Sequence, residues 1–379
     1  MKHLNNPNIY LVAGEPSGDI LGDQLMKSLN EDLNSPIFHG VGGPKMEENK
    51  FISLFKMSEI TVFGIFPVLK KIFFLINKIN QVAIDIVDKK PDLVVLIDSP
   101  DFNHRVAKKV RRKLPNIPIV CLVAPSVWAW RQGRAKKMSK YFDHLLSIIP
   151  FEVDFFKKFG LDATYIGHPV AKIIDNVDED SIKNNYNLTD EKLIIFLPGS
   201  RSGEIDRHSI EMSKVINTLE KKHPKINVLI ITSSKQLSLV EKFFPKNKIV
   251  TNEVDKFALF KKADFACAAS GTVTLELGLA ETPTIVVYKM DSFTWFFISR
   301  LVKVKFVSLV NLLLGRLSSI ELLQDKFNHE NIYKELEKLL NDNNLLKKQK
   351  EDLKEFKDLI NANIKDPSKK ASQVIKGLL

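Results

Sequence analysis

Cysteine is nearly absent. The 379 residues hold two, Cys121 and Cys267, each inside a short apolar run (119–123 and 265–269). That excludes a disulfide-stapled scaffold or a cysteine-rich metal site and predicts two buried thiols in a reducing compartment. Long hydrophobic runs are missing too. The greasiest stretch, 62–79, is broken by Lys70, Lys71 and Lys78, so it falls short of the roughly 20 unbroken apolar residues a membrane span needs. Ahead of the apolar run 9–13 there is neither a basic segment nor a long apolar core with a cleavage site, and no secretory leader is expected. No internal repeat stands out. Acidic charge is the scarcer sign, with 45 Asp and Glu against 56 Lys and Arg for a net charge of +11. An anionic partner follows, although charge alone does not choose among nucleic acid, acidic lipid and a phosphorylated small molecule.

What is present is ordinary globular composition, 44% hydrophobic and 27% charged, at a length that suits two domains. Short apolar runs at 9–13, 93–97, 117–123, 145–149 and 165–166 alternate with helical patterns. The alternation restarts with runs at 193–197, 228–232, 249–250, 265–268 and 284–288. Strands alternating with helices predict parallel βαβ units, hence two Rossmann-like domains. The expected division is 1–170 for the first domain, a polar linker at 171–190, 191–340 for the second, and a helical tail at 341–379 that packs back on the first.

Three turns that follow predicted strands in the first half carry candidate chemistry. Gly14-Glu15-Pro16-Ser17-Gly18-Asp19 precedes a helical pattern and makes a backbone nest for an anion or a sugar hydroxyl. Pro16 replaces the second glycine of the dinucleotide fingerprint, which disfavours NAD. The plainer reading of the same turn is a tight bend with Asp19 capping the helix. Asp98 follows the run 93–97, at the strand end where open α/β sheets bind ligands, and is well placed as a general base. Its plain alternative is a helix cap before Pro100, a role that Asp101 suits better. Trp128, Trp130 and Arg131 follow the run 117–123 and together suit a sugar or a lipid interface.

The second half repeats the pattern. Pro198-Gly199-Ser200-Arg201 follows a strand, offering close backbone approach and a rigid donor fork for phosphate. Ser270-Gly271-Thr272 opens a helix whose first amides would face a nucleotide diphosphate. Glu276, one turn further, is placed to accept from ribose hydroxyls, or simply to stabilise the helix dipole. Asn311 and Gln324 lie in what reads as another loop and helix.

Together the segments GEPSGD, IDSPDFN, APSVWAWR, LPGSR, ASGTVTLE and NLLLGR closely resemble the lipid-A-disaccharide synthases, in order and over nearly the whole chain. The resemblance implies a GT-B type glycosyltransferase, with two Rossmann-like domains, a ligand cleft between them and a helical C-terminal tail. It implies a UDP-2,3-diacylglucosamine donor, a 2,3-diacylglucosamine 1-phosphate acceptor, and a β-1,6-linked disaccharide 1-phosphate and UDP as products, with inversion at the anomeric carbon. The catalytic set is then Asp98, Glu15 and Ser17. Ser200, Arg201, Gly271, Thr272 and Glu276 hold UDP, and Asn311 and Gln324 line the cleft. No cofactor or metal is expected, and Asp178-Glu179-Asp180 reads as surface. Val310 and Pro16 depart from the family pattern without removing any of these side chains.

Two other readings compete. One is another UDP-sugar enzyme of the same architecture, an N-acetylglucosamine epimerase or a peptidoglycan glycosyltransferase. The other is a non-catalytic basic protein using Arg105, Lys108, Lys109, Arg111, Arg112 and Lys113, but no nucleic-acid module is recognisable and carboxylates at strand ends would repel phosphate backbones. Docking at the cytoplasmic face of the inner membrane of a Gram-negative-type bacterium is expected to use residues 67–88. There Leu69, Ile72, Phe73, Ile76, Ile79, Ala83 and Ile86 form a stripe toward the core, while Phe74 points away among Lys70, Lys71 and Lys78.

Overall fold

A computed structural model describes residues 6–61, 72–129, 132–179, 181–291, 295, 300, 304–361 and 364–379. The chain divides into two compact units, Met1–Pro169 with Asn363–Leu379, and Val170–Ala362.

The first unit is built on a parallel sheet of β1 (Asn8–Ala13), β2 (Ile37–Val41), β3 (Leu93–Ile97), β4 (Ile119–Leu122), β5 (His144–Ser147) and β6 (Asp162–Tyr165), in the order β2-β1-β3-β4-β5-β6. Every residue of β3 is buried, the signature of a strand covered on both faces. The register Ala13↔Ile97 brings the C-terminal ends of β1 and β3 side by side. The strand order reverses between them, because β1 leads outward to β2 and the chain then returns to β3 on the other side of β1. Such a reversal opens a crevice at the strand ends.

The second unit repeats the plan with β7 (Leu193–Leu197), β8 (Asn227–Ile231), β9 (Lys248–Val250), β10 (Phe265–Ala269), β11 (Thr284–Tyr288) and β12 (Ile320–Leu323), ordered β12-β11-β10-β7-β8-β9 and parallel throughout. Here the reversal falls between β7 and β10, paired through Leu197↔Ala268. The fold is thus two Rossmann-like units of the GT-B type with helices after the last strand. Cys121 and Cys267 are free, buried thiols in β4 and β10.

β2 and β12 are additions to the predicted strands, and Glu321 to Leu323 belong to a strand where a loop and helix were expected. Both are the end strands of their sheets and only partly buried, so neither carries the continuous apolar run of an inner strand. The polar stretch 171–190, read from sequence as a linker, contains the helices Pro169–Asn176 and Ser181–Asn185. Their Ala171, Ile174 and Ile182 enter the second unit's core. In the tail, helix Asn343–Asn361 sends Leu353, Phe356 and Ile360 into that same core. Helix Pro367–Leu378 belongs to the first unit, where Ala371 and Ile375 join Leu25, Met26 and Leu29 of helix Pro16–Asp32.

Candidate active site

At the β1/β3 crevice, Ser17 Oγ donates to Asp98 Oδ2 at 3.2 Å, and Ser99 Oγ donates to Glu15 Oε1 at 3.4 Å. The structure therefore brings Glu15, Ser17 and Asp98 together across the two turns. Gly14 makes this possible, since a Cβ there would stand 2.5 Å from Ser99 Oγ. Asp98 and Ser99 take the left-handed backbone conformation, with φ of 52° and 42°. For non-glycine residues that is strained and is maintained only where the surroundings over-determine it. Asn103 supplies the brace, its Nδ2 donating to Ile97 O at 3.0 Å and Asp98 O at 2.8 Å. Burial raises the Asp98 carboxyl above the ordinary aspartate range, against opposing bonds from the Ser99 backbone N–H and the Ser17 hydroxyl. A partly buried carboxylate with one hydroxyl partner and a raised pKa suits a general base.

Two capping roles considered above go elsewhere. Asp19 does not cap its own helix. It is buried and accepts from the backbone N–H groups of Gly43, Lys45 and Met46 at 2.8, 2.9 and 3.1 Å, so it holds the loop and helix after β2. Asp101 pairs with Arg134 at 3.0 Å, and the N-cap of helix Pro100–Lys113 is Ser99.

Beside β4, Trp128 Nε1 donates to Glu152 Oε1 at 3.0 Å, and Glu152 Oε2 accepts from Ser147 Oγ at 2.6 Å. Burial pushes the Glu152 carboxyl up to about 7. Sequence reading missed Glu152 because its partners lie on two other strand ends. Trp130 and Arg131 lie outside the described residues.

In the second unit the turns after β7 and β10 present Ser200, Arg201, Gly271 and Thr272, all exposed, at neighbouring strand ends. Helices Ser202–Lys222 and Thr272–Leu279 both begin there, so two sets of unpaired amides and two positive dipole ends serve one edge. Gly199, at φ 130°, is required because a Cβ would come within 2.8 Å of Glu204 Cβ. Glu204, also missed from sequence, turns back onto this loop. It accepts from Arg201 Nη1 at 3.1 Å, Ser200 N at 3.3 Å and the Tyr288 hydroxyl at 3.3 Å. His208 Nε2 accepts from Lys289 N at 3.0 Å, which leaves the proton on Nδ1 to donate to Pro198 O at 2.8 Å. Burial lowers its pKa, which keeps that neutral tautomer in place.

Glu276 Oε2 lies 3.3 Å from Lys256 Nζ. Burial raises the Glu276 carboxyl and Lys256 opposes the rise. Asn311 and Gln324 diverge. Asn311 is fully buried; its Nδ2 donates to Ser319 O at 2.7 Å and Glu321 Oε1 at 2.8 Å, and its Oδ1 accepts from Ser318 N and Ser319 N, both at 2.8 Å. That uses the whole bonding capacity of an amide, so Asn311 ties the turn before β12. Gln324 stands at the end of β12 at φ 51°, and its buried Nε2 has no partner among the described residues.

The helix Ile72–Lys89 corrects the expected stripe. Ile79, Val82, Ala83 and Ile86 are buried, but Phe73 is 86% and Ile76 38% exposed, with Phe74 at 42%. Lys78 is not a free surface cation, since it pairs with Glu59 at 2.7 Å and lies over the Phe55 ring at 4.1 Å. Leu69, Lys70 and Lys71 fall outside the described residues. Among the described residues no helix is long and apolar enough to cross a membrane, and no cluster of His, Cys, Asp or Glu could hold a metal ion.

The model of the lipid-A-disaccharide synthetase family matches residues 9–375. The chain is 34% identical over 374 residues to the lipid-A-disaccharide synthase of Rhodospirillum centenum, covering 97% of this chain and 93% of that one. It is 38% identical over 315 residues to that of Rickettsia bellii, covering 81% and 82%. Among solved structures, UDP-GlcNAc 2-epimerase from Neisseria meningitidis, bound to UDP-GlcNAc, superposes with a TM-score of 0.64 at 11% identity, covering 99% of both chains. The UDP-forming α,α-trehalose-phosphate synthase of Burkholderia vietnamiensis gives 0.59 at 11% identity, covering 99% and 97%. At such identities these two likenesses speak for the fold alone.

Proposed function

The chain belongs to the lipid-A-disaccharide synthetase family, and from that premise we propose that its two crevices divide an inverting glycosyl transfer between them. The enzyme is a glycosyltransferase that condenses UDP-2,3-diacylglucosamine with 2,3-diacylglucosamine 1-phosphate. Asp98 takes the proton of the acceptor 6-hydroxyl as that oxygen attacks the anomeric carbon, and the bond from that carbon to the UDP oxygen breaks on the opposite face. The products are the β-1,6-linked disaccharide 1-phosphate and UDP. Ser17 holds Asp98 in position, and Glu15 fixes Ser99 beside it.

On the second unit, Arg201 and the amides around Ser200, Gly271 and Thr272, at the two helix starts, receive the departing diphosphate, whose negative charge grows as the bond breaks. Glu276 accepts from the ribose hydroxyls, and the Gln324 Nε2, which has no partner among the described residues, donates to the sugar. Asn311 acts at one remove, by tying the turn before β12. The observation that carries this reading is the placement of the proposed base and the proposed phosphate donors at the strand-order reversals of their sheets, where open α/β sheets bind ligands.

We further propose that the protein works at the cytoplasmic face of the inner membrane without crossing it. Two features support the docking: the exposed Phe73 and Phe74, and the exposed cations Arg105, Lys108, Lys109, Arg112 and Lys113 on helix Pro100–Lys113. Basic side chains near an anionic bilayer contribute about 1 kcal/mol each, which gives a reversible tether.

Incubation with both acylated substrates and mass spectrometry of the product tests the reaction. An acylated disaccharide monophosphate is expected. Turnover of unacylated UDP-N-acetylglucosamine alone would move the protein to the epimerases, which its fold also resembles.

A further inference from the structure

Lys256 is an enclosed cation near the second crevice, and no sequence motif points to it. It lies on helix Glu253–Lys262 with its side chain 17% exposed. Its Nζ reaches Glu276 Oε2 at 3.3 Å and Glu253 Oε2 at 2.8 Å, and stands 4.3 Å from the Phe257 ring centroid and 5.9 Å from that of Phe260. An ammonium walled by two aromatic rings has few orientations open to it. The carboxylate it meets on Glu276 is accordingly fixed on one oxygen, leaving Oε1 for a ligand. Glu276 in turn sits one helical turn inside helix Thr272–Leu279, whose N-terminus is proposed above to receive the diphosphate.

We propose that Lys256 is a positioning residue for the nucleotide: it keeps Glu276 ionised and aimed so that the carboxylate accepts from the ribose hydroxyls of a uridine diphosphate. This rests on the reading of Glu276 as the ribose partner. A buried carboxylate without a counter-charge takes up a proton, and a neutral carboxyl is a poorer acceptor for hydroxyl donors. Burial already raises the Glu276 pKa, Lys256 is the main influence opposing it, and Glu253 adds slightly to the rise. Both charged partners come from helix Glu253–Lys262. The strands β10 and β11 and the helices Leu309–Leu314 and Asn343–Asn361, which pack on the Glu276 helix, contribute no further charge acting on it among the described residues. Lys256 itself stays charged. Burial works against it, but Glu276 and Glu253 outweigh that and hold its pKa above the ordinary lysine value.

The sign follows. With Lys256 gone, Glu276 is neutral at low pH and ionises only as pH rises, so UDP binding is impaired on the acid side and recovers on the alkaline side. Calorimetric UDP affinity of the full chain, expressed at each pH as the ratio of wild type to variant, cancels the titration of UDP itself. For Lys256→Met a deficit of about tenfold is expected near pH 6, the order of one charge-assisted hydrogen bond, shrinking to about twofold near pH 8.5. Lys256→Arg should stay within about twofold throughout, and Lys256→Met should cost nothing further in a Glu276→Gln background. Lys256→Gln, run in parallel, gives the same reading should the Met variant fold poorly by circular dichroism. A deficit that is the same at every pH, or that persists in the Glu276→Gln background, overturns the proposal and leaves Lys256 a packing residue. Glu276→Gln binding UDP as tightly as wild type would instead remove the ribose reading of Glu276, an outcome separate from the Lys256 result.

Discussion

Ser17 Oγ and Asp98 Oδ2, 81 residues apart in sequence, meet at 3.2 Å because β1 and β3 are neighbours in register and both chains turn at the same sheet edge. Helix Pro16–Asp32 starts immediately after β1, which places Ser17 in its first turn. Asp98 follows β3 in the left-handed conformation, and Asn103 holds its backbone carbonyl there.

Replacing Asp98 by Asn keeps the shape and removes the proton acceptor. Turnover should fall by about 10²–10⁴-fold, the usual contribution of a general base. UDP affinity should stay near wild type, because the proposed nucleotide contacts lie on the second unit. Steady-state kinetics with both acylated substrates and calorimetry with UDP check the two halves. Activity within about tenfold of wild type would remove Asp98 from the role.

Ser17→Ala tests the same pair through pH. The Ser17 hydroxyl lowers the Asp98 pKa against the rise caused by burial. Without it the carboxyl holds its proton to higher pH, and a base works only when ionised. The acid limb of the kcat/KM profile should therefore move to higher pH, with the greatest loss at low pH and partial recovery as pH rises. A profile scaled down evenly at all pH values would show that Ser17 acts on the substrate instead.

Arg201→Ala should weaken UDP binding by about 10–100-fold, through loss of a charge-assisted bond to the diphosphate. The Arg201 side chain is 74% exposed and linked to Glu204 at 3.1 Å, so the fold has little need of it. An unchanged melting temperature with weakened UDP affinity is the expected pattern. Unaltered affinity would place Arg201 outside the phosphate site.

Membrane docking is best probed through Phe73 and Phe74, which are exposed at the start of helix Ile72–Lys89. Changing both to Ser should reduce co-sedimentation with anionic vesicles while turnover on detergent-dispersed substrates survives. Lys78→Gln should leave vesicle binding alone, since Lys78 is spent on Glu59 and the Phe55 ring. Unchanged sedimentation of the double Ser variant would exclude this helix as the contact.

Three inner strands were legible to the residue and the other inner strands to within one or two residues. β3, β7 and β11 coincide with the apolar runs 93–97, 193–197 and 284–288, because burial on both faces leaves no polar interruption. β2 and β12, at the ends of their sheets, have mixed patterns and were not legible. Among candidate site residues, those in contiguous turns after strands were visible as motifs. Glu204, Lys256 and Glu152 were not, since each depends on at least one partner from another element, Tyr288, Glu276 and Trp128 respectively. The amphipathic helix shows the same limit. At about 100° per residue Phe73 lies roughly 120° from Ile79, at the margin of any apolar stripe, and only packing decides which side such a residue joins.

Asn311 offers the sharpest separation of a ligand contact from a structural tie. It occupies a position expected from the family resemblance to line the ligand site, yet its amide is fully buried and makes four hydrogen bonds, to Ser318 N, Ser319 N, Ser319 O and Glu321 Oε1. Glu321 also accepts from the backbone N–H groups of Val307 at 3.1 Å and Ser308 at 2.9 Å, so the same tie fixes the entry to helix Leu309–Leu314. Truncation to Ala would leave the part-buried Ser318 N–H, the buried Ser319 N–H and the Ser319 carbonyl without these partners, at a cost of about 2–4 kcal/mol. Asn311→Ala should therefore lower the urea midpoint clearly. Saturating UDP should restore part of the lost stability, because ligand binding favours the folded state. At temperatures where the variant is folded, its UDP affinity should fall by less than that of Arg201→Ala. A variant as stable as wild type with UDP affinity abolished would make Asn311 a direct contact and show that its turn rearranges when nucleotide binds.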